Sequence, residues 1–464
     1  MSKQTNLRQR MTDALKNTPA AFADLRIERR EVTHIVFRDD GLETVDSHVD
    51  QGGIARALLP GGGWGVVTFT QLRDLKRRVR QAWDAAQAAQ GQHVELAPVE
   101  PVVAEVKANL VKDFRKVPLE AKTTLLERYH RQLVKSDCRI QAGQTEYRDA
   151  FTEVYYANSE GTYIYQEHPI IDLQLTANAR EDSRVQRANK SLALAAGFEA
   201  VENCDDLARE AARLACALLE AEPVRGGRYP VVLDPSLAGL FIHEAFGHLS
   251  EADFIISNPR ATEMMALGRR FGPKELNVMD DGSVPGLRGS MAFDDEGVPA
   301  RKTYLIREGV LVGRLHNRET AAELGEQPTG NGRATSYHHP PQVRMTNTAI
   351  EPATEGSGGG LADLIRDVEL GIYACDWLGG ETALDDFSFV AKYARMIRHG
   401  ELAEMVRDVT FTGNVFETLE HIDRIGSDFA WDVSSGDCGK GPEWLPVCDG
   451  SPHIRIQDVL VGGK

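Results

Sequence analysis

The sequence predicts an α+β protein of two domains, and three observations support this prediction. The chain has 464 residues, which is more than one hydrophobic core usually organises. Its first half alternates helical patterns with β-rich runs, whereas its second half consists mostly of strands and long loops. The halves meet at a proline- and glycine-containing stretch that is typical of a linker. We therefore expect an N-terminal domain of helices and antiparallel sheet over residues 1–222 and a strand-rich C-terminal domain, which contains the helix described below, over residues 228–464.

Composition and charge exclude several classes of function. Hydrophobic residues make up 42% of the chain and the formal net charge is −16, which argues against a general binder of nucleic acid or anionic membranes. No run approaches the roughly 20 apolar residues of a membrane span, and residues 1–16 have no signal-peptide core. The six cysteines include no CxxC pair, which favours a reducing compartment. We expect a cytoplasmic protein.

The N-terminal half contains four helical patterns, at residues 4–18, 71–90, 118–134 and 207–220. Between them lie β-rich runs at residues 23–70 and 140–177. A glycine cluster at residues 61–63 precedes a strand and lacks the lysine of a phosphate-binding loop, so it predicts a hairpin turn.

The C-terminal half begins with a short strand at residues 229–233 and a helix. Asp234 can cap this helix, and Pro235 suits its first turn. The helix runs into a segment in which His243 and His248 flank Glu244. Imidazoles ligate zinc, and a carboxylate beside them can accept a proton from the attacking water. Downstream, we expect strands at 302–306, 310–315 and 406–413, and helices at 361–373 and 417–424.

The spacing of the two histidines constrains the geometry. They are five residues apart, so on a regular helix their side chains would diverge by about 140°. One metal ion could bind both only if a single wide turn brought positions i and i+5 together. Gly247 weakens the helix at this point and would permit such a turn. The alternative is that both histidines are hydrogen-bonded core residues of a structural helix.

A catalytic zinc usually has three protein ligands, and the residues leave the third one open. Glu251 lies three positions after His248. Cys438 lies in a glycine-rich segment beside Lys440, which could favour its thiolate form. Cys448 is a weaker candidate.

Taken together, the motifs of the C-terminal half resemble the TldD/PmbA family of metallopeptidases, specifically its catalytic TldD side. They occur in order over residues 230–464, and the first half is similar in length and in its strand–helix pattern. The segments that support the resemblance are His243-Glu244-Ala245 with Gly247-His248, Asp280-Asp281-Gly282, Arg288-Gly289-Ser290, Asp294-Asp295-Glu296-Gly297, residues 328–332, residues 344–348, Gly371-Ile372-Tyr373-Ala374 and Cys438-Gly439-Lys440.

The resemblance implies roles for particular residues. The family's HExxxH motif implies that His243 and His248 are zinc ligands and that Glu244 is the general base. The family's Cys-Gly-Lys implies that Cys438 is the third ligand. Glu251 and Asp253 then become candidates for orienting a histidine from outside the ligand set.

The resemblance also implies a cytoplasmic zinc peptidase for unfolded or small peptides. We expect it to act as a dimer, either with itself or with a PmbA/TldE-like subunit that lacks the metal motif. Two rivals remain: a non-catalytic peptide-binding subunit of such a complex, and a zinc hydrolase whose substrate is a non-peptide amide.

Residues 336–347 contain the candidates for contact with substrate. His338, His339 and Arg344 could stabilise the oxyanion, and Arg344 and Asn347 could hold peptide backbone or a terminal carboxylate. The alternative for the two histidines is a structural loop before two prolines. The chain departs from the family pattern at residues 349–353 and 381–387, which leaves the preferred peptide open.

Overall fold

A computed structural model of the chain describes residues 3–89, 93–354, 358–383 and 385–463. It has the predicted α+β class, with strands as its main component. The N-terminal part contains one seven-stranded sheet, and the C-terminal part contains a six-stranded sheet, an eight-stranded sheet and two small hairpins.

The N-terminal sheet has seven strands in the order β3-β2-β1-β5-β6-β4, with β7 also paired to β6. All its pairings are antiparallel except the parallel pair of β4 with β6. The strands are β1 (Phe22–Arg38), β2 (Gly41–Leu58), β3 (Trp64–Phe69), β4 (Val103–Val106), β5 (Ile140–Asn158), β6 (Tyr163–Glu181) and β7 (Arg184–Leu194). The helices are α1 (Lys3–Leu15), α2 (Leu75–Ala88), α3 (Leu119–Lys135) and α4 (Asp205–Glu220), with 3₁₀ turns at Phe114–Lys116 and Phe198–Val201.

The alternation of residues along β1 separates the two faces of this sheet. Leu25, Ile27 and Ile35 point to one face and pack in the two clusters formed with the helices. In the first half of the strand the intervening positions, Asp24, Arg26, Glu28 and Arg30, are charged and point to the opposite face. The four helices therefore cover one face, and the charged face is left for the C-terminal part.

In the C-terminal part, five strands pair in a closed circuit. The circuit runs β16-β9-β25-β19-β17 and returns to β16, and β18, β8 and β20 extend it. These strands are β8 (Glu222–Pro223), β9 (Gly227–Leu233), β16 (Leu370–Ala383), β17 (Asp386–Arg398), β18 (Glu401–Arg407), β19 (Thr410–Asn414), β20 (Ile422–Ile425) and β25 (Ile454–Gly462).

A six-stranded sheet lies beside this circuit, in the order β12-β11-β10-β15-β24-β21. Its strands are β10 (Val278–Asp281), β11 (Lys302–Arg307), β12 (Val310–Leu311), β15 (Asn347–Ile350), β21 (Ala430–Asp432) and β24 (Cys448–Ser451). The two hairpins pair β13 (Gly332–Arg333) with β14 (Gln342–Val343), and β22 (Asp437–Lys440) with β23 (Glu443–Pro446). The helices are α5 (Pro235–Ile242), α6 (Ala252–Ser257), α7 (Pro259–Met264), α8 (Arg318–Leu324), α9 (Leu361–Ile365) and α10 (Val415–Glu420).

Helix α5 lies between the circuit and the six-stranded sheet. The ring of Phe241 packs edge-on against Phe387 and Phe389 of β17, at centroid distances of 5.8 and 5.7 Å. On another side, Gly239 approaches Asp449 and Gly450 of β24 so closely that a Cβ there would lie 3.1 Å from each. The helix that leads to the two histidines is thus fixed on both sides.

Four predicted elements of the C-terminal half differ from the structure. The helix predicted over 417–424 ends at Glu420, and residues 422–424 belong to β20. The strand predicted over 310–315 is only Val310–Leu311. The helix predicted over 361–373 ends at Ile365, because Ile372 and Ala374 are buried as alternate residues of β16 beside β9. The strand predicted over 406–413 is broken at Asp408, whose positive φ of 57° separates β18 from β19. None of the helices in the described ranges is long and apolar enough to cross a membrane.

Buried ion pairs join the charged face of the N-terminal sheet to the C-terminal part. Arg56 of β2 contacts Asp24 of β1 at 2.5 Å and Glu296 at 3.4 Å, and all three side chains are buried. Arg26 contacts Asp295 at 2.6 Å. These contacts hold the loop at residues 294–297 against the sheet.

Replacing Arg56 by methionine should lower the free energy of unfolding by about 3 to 5 kcal/mol, because two buried carboxylates would lose their cation. Urea denaturation followed by circular dichroism measures the change. Arg80→Met is the matched control, since its side chain is 78% exposed on α2 and its loss should change stability by less than about 0.5 kcal/mol. Equal stability of the two variants would contradict this account.

Candidate metal centre

Helix α5 begins as the sequence predicts. The side chain of Asp234 accepts a hydrogen bond from the backbone N–H of Leu237 at 2.8 Å, and Pro235 is the first helical residue. Asp234 also accepts from the backbone N–H of Asp376 on β16, at 2.9 Å. The cap therefore fixes the start of the helix to the neighbouring sheet.

The wide turn expected from the five-residue spacing is present. Residues His243–Gly247 form a π-helical turn, and the backbone N–H of His248 donates to the carbonyl oxygen of His243. The two imidazole rings face each other edge-on, with centroids 5.1 Å apart. The backbone thus places both histidines on one side of the segment.

Glycine is required at position 247 for a different reason from the one that the sequence suggests. Its φ of −57° and ψ of −54° are ordinary helical values, so the turn needs no special backbone freedom there. A Cβ at this position, however, would lie 2.1 Å from the Sδ atom of the buried Met345. Glycine is needed for space beside Met345.

Cys438 of β22 completes a cluster with the two histidines. Its Sγ lies 3.2 Å from Nε2 of His243 and 3.4 Å from Nε2 of His248. One possible ligand atom from each of the three residues can be chosen so that all lie within 4.8 Å of one another. Two nitrogens and one sulfur in this arrangement suit a divalent ion such as Zn²⁺.

A carboxylate contacts the other ring nitrogen of each histidine. Asp449 Oδ1 lies 2.8 Å from Nδ1 of His243, and Glu251 Oε2 lies 3.4 Å from Nδ1 of His248. Such contacts fix the ring orientation and direct Nε2 toward a metal. Asp449 was missed in the sequence, although it directly follows Cys448, because the residues give no sign that it meets a histidine 206 positions earlier.

Two basic residues hold the hairpin that contains Cys438. Arg344 donates from Nη2 to the carbonyl oxygen of Cys438 at 2.6 Å. Lys440 contacts both carboxylate oxygens of Asp253 at 2.8 Å and Glu251 at 2.9 Å. The backbone of Cys438 is therefore held by the segment that precedes β15, and its neighbouring lysine is held by the two carboxylates that follow His248.

These contacts change the protonation of the cluster. Burial alone would raise the pKa of the Cys438 thiol, but the adjacent His243 and His248 hold it well below its usual range. Burial would lower the pKa of His248, whereas Glu251 and Cys438 raise it to about 10. Burial would also raise the pKa of Glu251, but His248 and Lys440 lower it to about 2. The sulfur is thus favoured as a thiolate, the form that ligates metals.

Glu244 lies within the wide turn, directly after the first histidine. Burial raises the pKa of its carboxyl group, and the two neighbouring histidines partly oppose that shift. A carboxyl group whose pKa is raised toward neutrality can accept a proton and later return it.

The four residues proposed for substrate contact lie in different surroundings. Asn347 is fully buried and donates to the carbonyl oxygen of Asp281, and Arg344 is 1% exposed. His338 is exposed, and the ring of His339 lies 3.5 Å from Glu443 on β23. The buried pair therefore contributes to the frame of the site in this conformation, whereas the two histidines lie in a loop beside the Cys438 hairpin.

Cys448, the weaker candidate ligand, lies apart from the cluster. Its Sγ donates to the carbonyl oxygen of Asp432 at 3.0 Å, and burial raises the pKa of its thiol, with Asp449 adding to that effect. It packs as a small buried residue of β24.

Two imidazoles, one thiol and an adjacent glutamate form a site typical of a metal-dependent hydrolase. Comparison with known proteins agrees with that class. Models of the PmbA/TldA metallopeptidase family match residues 23–86 (domain 1), 112–219 (central domain) and 226–463 (C-terminal domain). The chain therefore belongs to the PmbA/TldD family of metallopeptidases.

Two relatives align with this chain over almost its whole length. Metalloprotease slr0863 of Synechocystis sp. is 45% identical over 96% of this chain and 95% of its own length. A protein of Saccharolobus solfataricus named Zinc metalloprotease TldD homolog is 28% identical over 96% of this chain and 97% of its own length.

Two solved structures share the fold at low identity. A putative modulator of a DNA gyrase from Thermotoga maritima has a TM-score of 0.81 at 20% identity, covering 99% of this chain and 100% of that one. TldE from Thermococcus kodakarensis has a TM-score of 0.75 at 17% identity, covering both chains fully.

Substituting alanine for Gly247 should lower the free energy of unfolding by about 1 to 3 kcal/mol, because the new Cβ overlaps Met345 in a packed region. Thermal unfolding measures the effect. Gly379→Ala is the control, since a Cβ at Gly379 on β16 would meet no atom within 4 Å. A Gly247→Ala protein as stable as this control would show that the turn has room to spare.

Proposed function

We propose that the protein is a zinc-dependent peptidase that hydrolyses unfolded or small peptides. The observation that supports this most directly is the convergence of His243, His248 and Cys438 from two distant segments, with ligand atoms within 4.8 Å of one another. Relatives named metalloprotease, one of them a zinc metalloprotease, support the same class.

The three side chains fit a zinc ion by their chemistry as well as their spacing. His243 and His248 would bind through Nε2, since their Nδ1 atoms face carboxylates, and Cys438 would bind as a thiolate. Three protein ligands leave one position open, as in catalytic zinc sites. When bound, zinc would act as a Lewis acid and lower the pKa of water toward neutrality.

Glu244 is the proposed general base. It would accept the proton of the attacking water and then donate it to the leaving amine of the peptide. The raised pKa of Glu244 supports both steps. It makes the carboxylate a stronger base toward the attacking water, and the protonated carboxyl group is still a much stronger acid than water when it donates to the amine. Asp449 and Glu251 would hold the imidazoles in orientation while the charge at the centre changes.

The cysteine pattern and the fold likeness bear on the protein's compartment and on its oligomeric state. We infer a cytoplasmic protein, from the cysteine pattern, and a dimer, either of two identical chains or with a TldE-like subunit. The full-length likeness of the fold to TldE supports the second possibility, since both subunits of such a pair would share one architecture. A hydrolase of non-peptide amides on the same site remains the alternative, and peptide assays below separate it.

Cys438→Ala should lose most of the bound zinc, because one of three ligands is removed. Metal content after dialysis, measured by mass spectrometry, tests this. Cys448→Ala is the matched control, because Cys448 is also a buried cysteine in the C-terminal part but lies outside the cluster. Equal zinc content in the two variants would contradict the proposed ligand set.

Glu244→Gln should retain zinc but lose peptide hydrolysis by a factor of about 10² or more, since the amide cannot accept the proton. The test is cleavage of a defined unfolded peptide and, separately, of a small non-peptide amide, with and without chelator. Wild-type rates in the Glu244→Gln protein would exclude this residue as the base. Cleavage of the amide but not of the peptide by the wild-type protein would favour the alternative function.

A further inference from the structure

A cleft of about 790 Å³ separates the charged face of the N-terminal sheet from the C-terminal part. Alternate residues of β1 form part of one wall, namely Arg26, Glu28 and Arg30. Leu445 and Pro446 of β23 also line it, and Leu445 is directly opposite Cys438 in the hairpin. The cleft thus reaches the strand that pairs with the cysteine strand of the metal centre.

The charge of this cleft is opposite to that of the whole chain. Five basic side chains and three acidic ones line it, in a protein whose formal net charge is −16. Two of the arginines are neutralised: Arg26 contacts Asp295 at 2.6 Å, and Arg288 contacts Asp437 at 2.5 Å. The remaining basic residues determine which ligand the cleft favours.

Arg30 and Arg333 lack a carboxylate partner in the described parts of the chain. Arg30 makes no ion pair there, and its buried Nε atom has no hydrogen-bond partner. Arg333 is 5% exposed and donates to the carbonyl oxygens of Met345 and Pro446, neither of which carries a charge. Burial and, secondarily, the nearby Arg344 lower the pKa of Arg333 to about 10.

Arginine side chains that are partly or wholly removed from water with no carboxylate in direct contact are costly for the free protein, and a bound carboxylate would offset that cost. The planar guanidinium group suits a carboxylate, to which it donates two parallel hydrogen bonds. A cleft with two such arginines beside the hairpin that contains Cys438 is therefore suited to an anionic group of an extended peptide.

We propose that this cleft is a carboxylate-binding subsite for the peptide substrate, in which Arg30 and Arg333 bind a free C-terminal carboxylate or the side chain of an aspartate or glutamate. The inference rests on the proposed peptidase function and adds a substrate preference to it: peptides with a carboxylate at some distance from the cleaved bond.

Binding of matched peptides to the zinc-loaded Glu244→Gln protein tests the subsite without turnover. Three fluorescein-labelled unfolded peptides of one neutral sequence are compared by fluorescence anisotropy: the C-terminal amide, the free acid, and the amide with one internal glutamine changed to glutamate. We expect one carboxylate peptide to bind about 10-fold more tightly than the amide, as one charge-assisted contact would give. A preference for the free acid identifies the C-terminus as the source, and a preference for glutamate identifies a side chain.

The Arg30→Gln substitution, made in the same Glu244→Gln protein, should bring the affinity ratio close to one. Lys76→Gln is the matched control: it removes one exposed positive charge from α2, outside the cleft, and should keep the ratio. Equal affinity for all three peptides would overturn the proposal. So would a ratio that survives Arg30→Gln, because the carboxylate would then be held elsewhere, for example by the metal.

The two proposals fail in different ways. If the wild-type protein cleaves no peptide but the binding ratio depends on Arg30, the peptidase function is wrong and the anion site remains. If all three peptides are cleaved and bound alike, the peptidase function remains and the subsite is wrong.

Discussion

One backbone hydrogen bond determines the geometry of the whole centre: the N–H of His248 to the carbonyl oxygen of His243. An α-helical bond would span four residues and leave the two imidazoles on different sides of the helix. The wider bond brings the rings to 5.1 Å, and both Nε2 atoms then face the sulfur of Cys438. The space beside Met345, the buried flank of α5 and the cap at Asp234 all serve to keep this segment in place.

Around that turn, contacts of charged side chains hold the neighbouring segments in place, a role that apolar packing usually has. Arg344 holds the backbone of Cys438, and Lys440 connects the same hairpin to Glu251 and Asp253. Lys440, Glu251 and Asp253 have partners of opposite charge, which is the condition under which buried charge is tolerated. Arg344 donates from Nη2 to the carbonyl oxygen, whereas its Nε and Nη1 atoms have no hydrogen-bond partner in the described parts of the chain. The position of the thiol therefore depends on electrostatic contacts with the histidine side, and a change in one of them would be felt at the sulfur.

Local features of the centre could be predicted from the sequence, and features that depend on distant contacts could not. The cap, the proline and the wide turn follow from neighbouring residues and from helix geometry. Asp449 was missed because its meeting with His243 is a tertiary contact. The helix predicted over residues 361–373 is wrong for a related reason. Ile372 and Ala374 are compatible with a helix or a strand, and their pairing with β9 favours the strand. Likewise, the sequence suggests a substrate contact for Asn347, whereas in the structure it is buried and donates to the carbonyl oxygen of Asp281 and to the hydroxyl of Ser290.

The distance along the chain between the histidines and Cys438, 190 residues from His248, has a consequence for biosynthesis. A ribosome that has added the two histidines must still add β16, β17 and β19 of the closed circuit before Cys438 exists, and β25 of the circuit follows later still. Long-range contacts of this kind form late in folding. A growing chain would hold at most two of the three donors and bind a metal ion weakly. Coupling full affinity to the last strands would keep an incomplete chain inert beside other nascent, unfolded polypeptides.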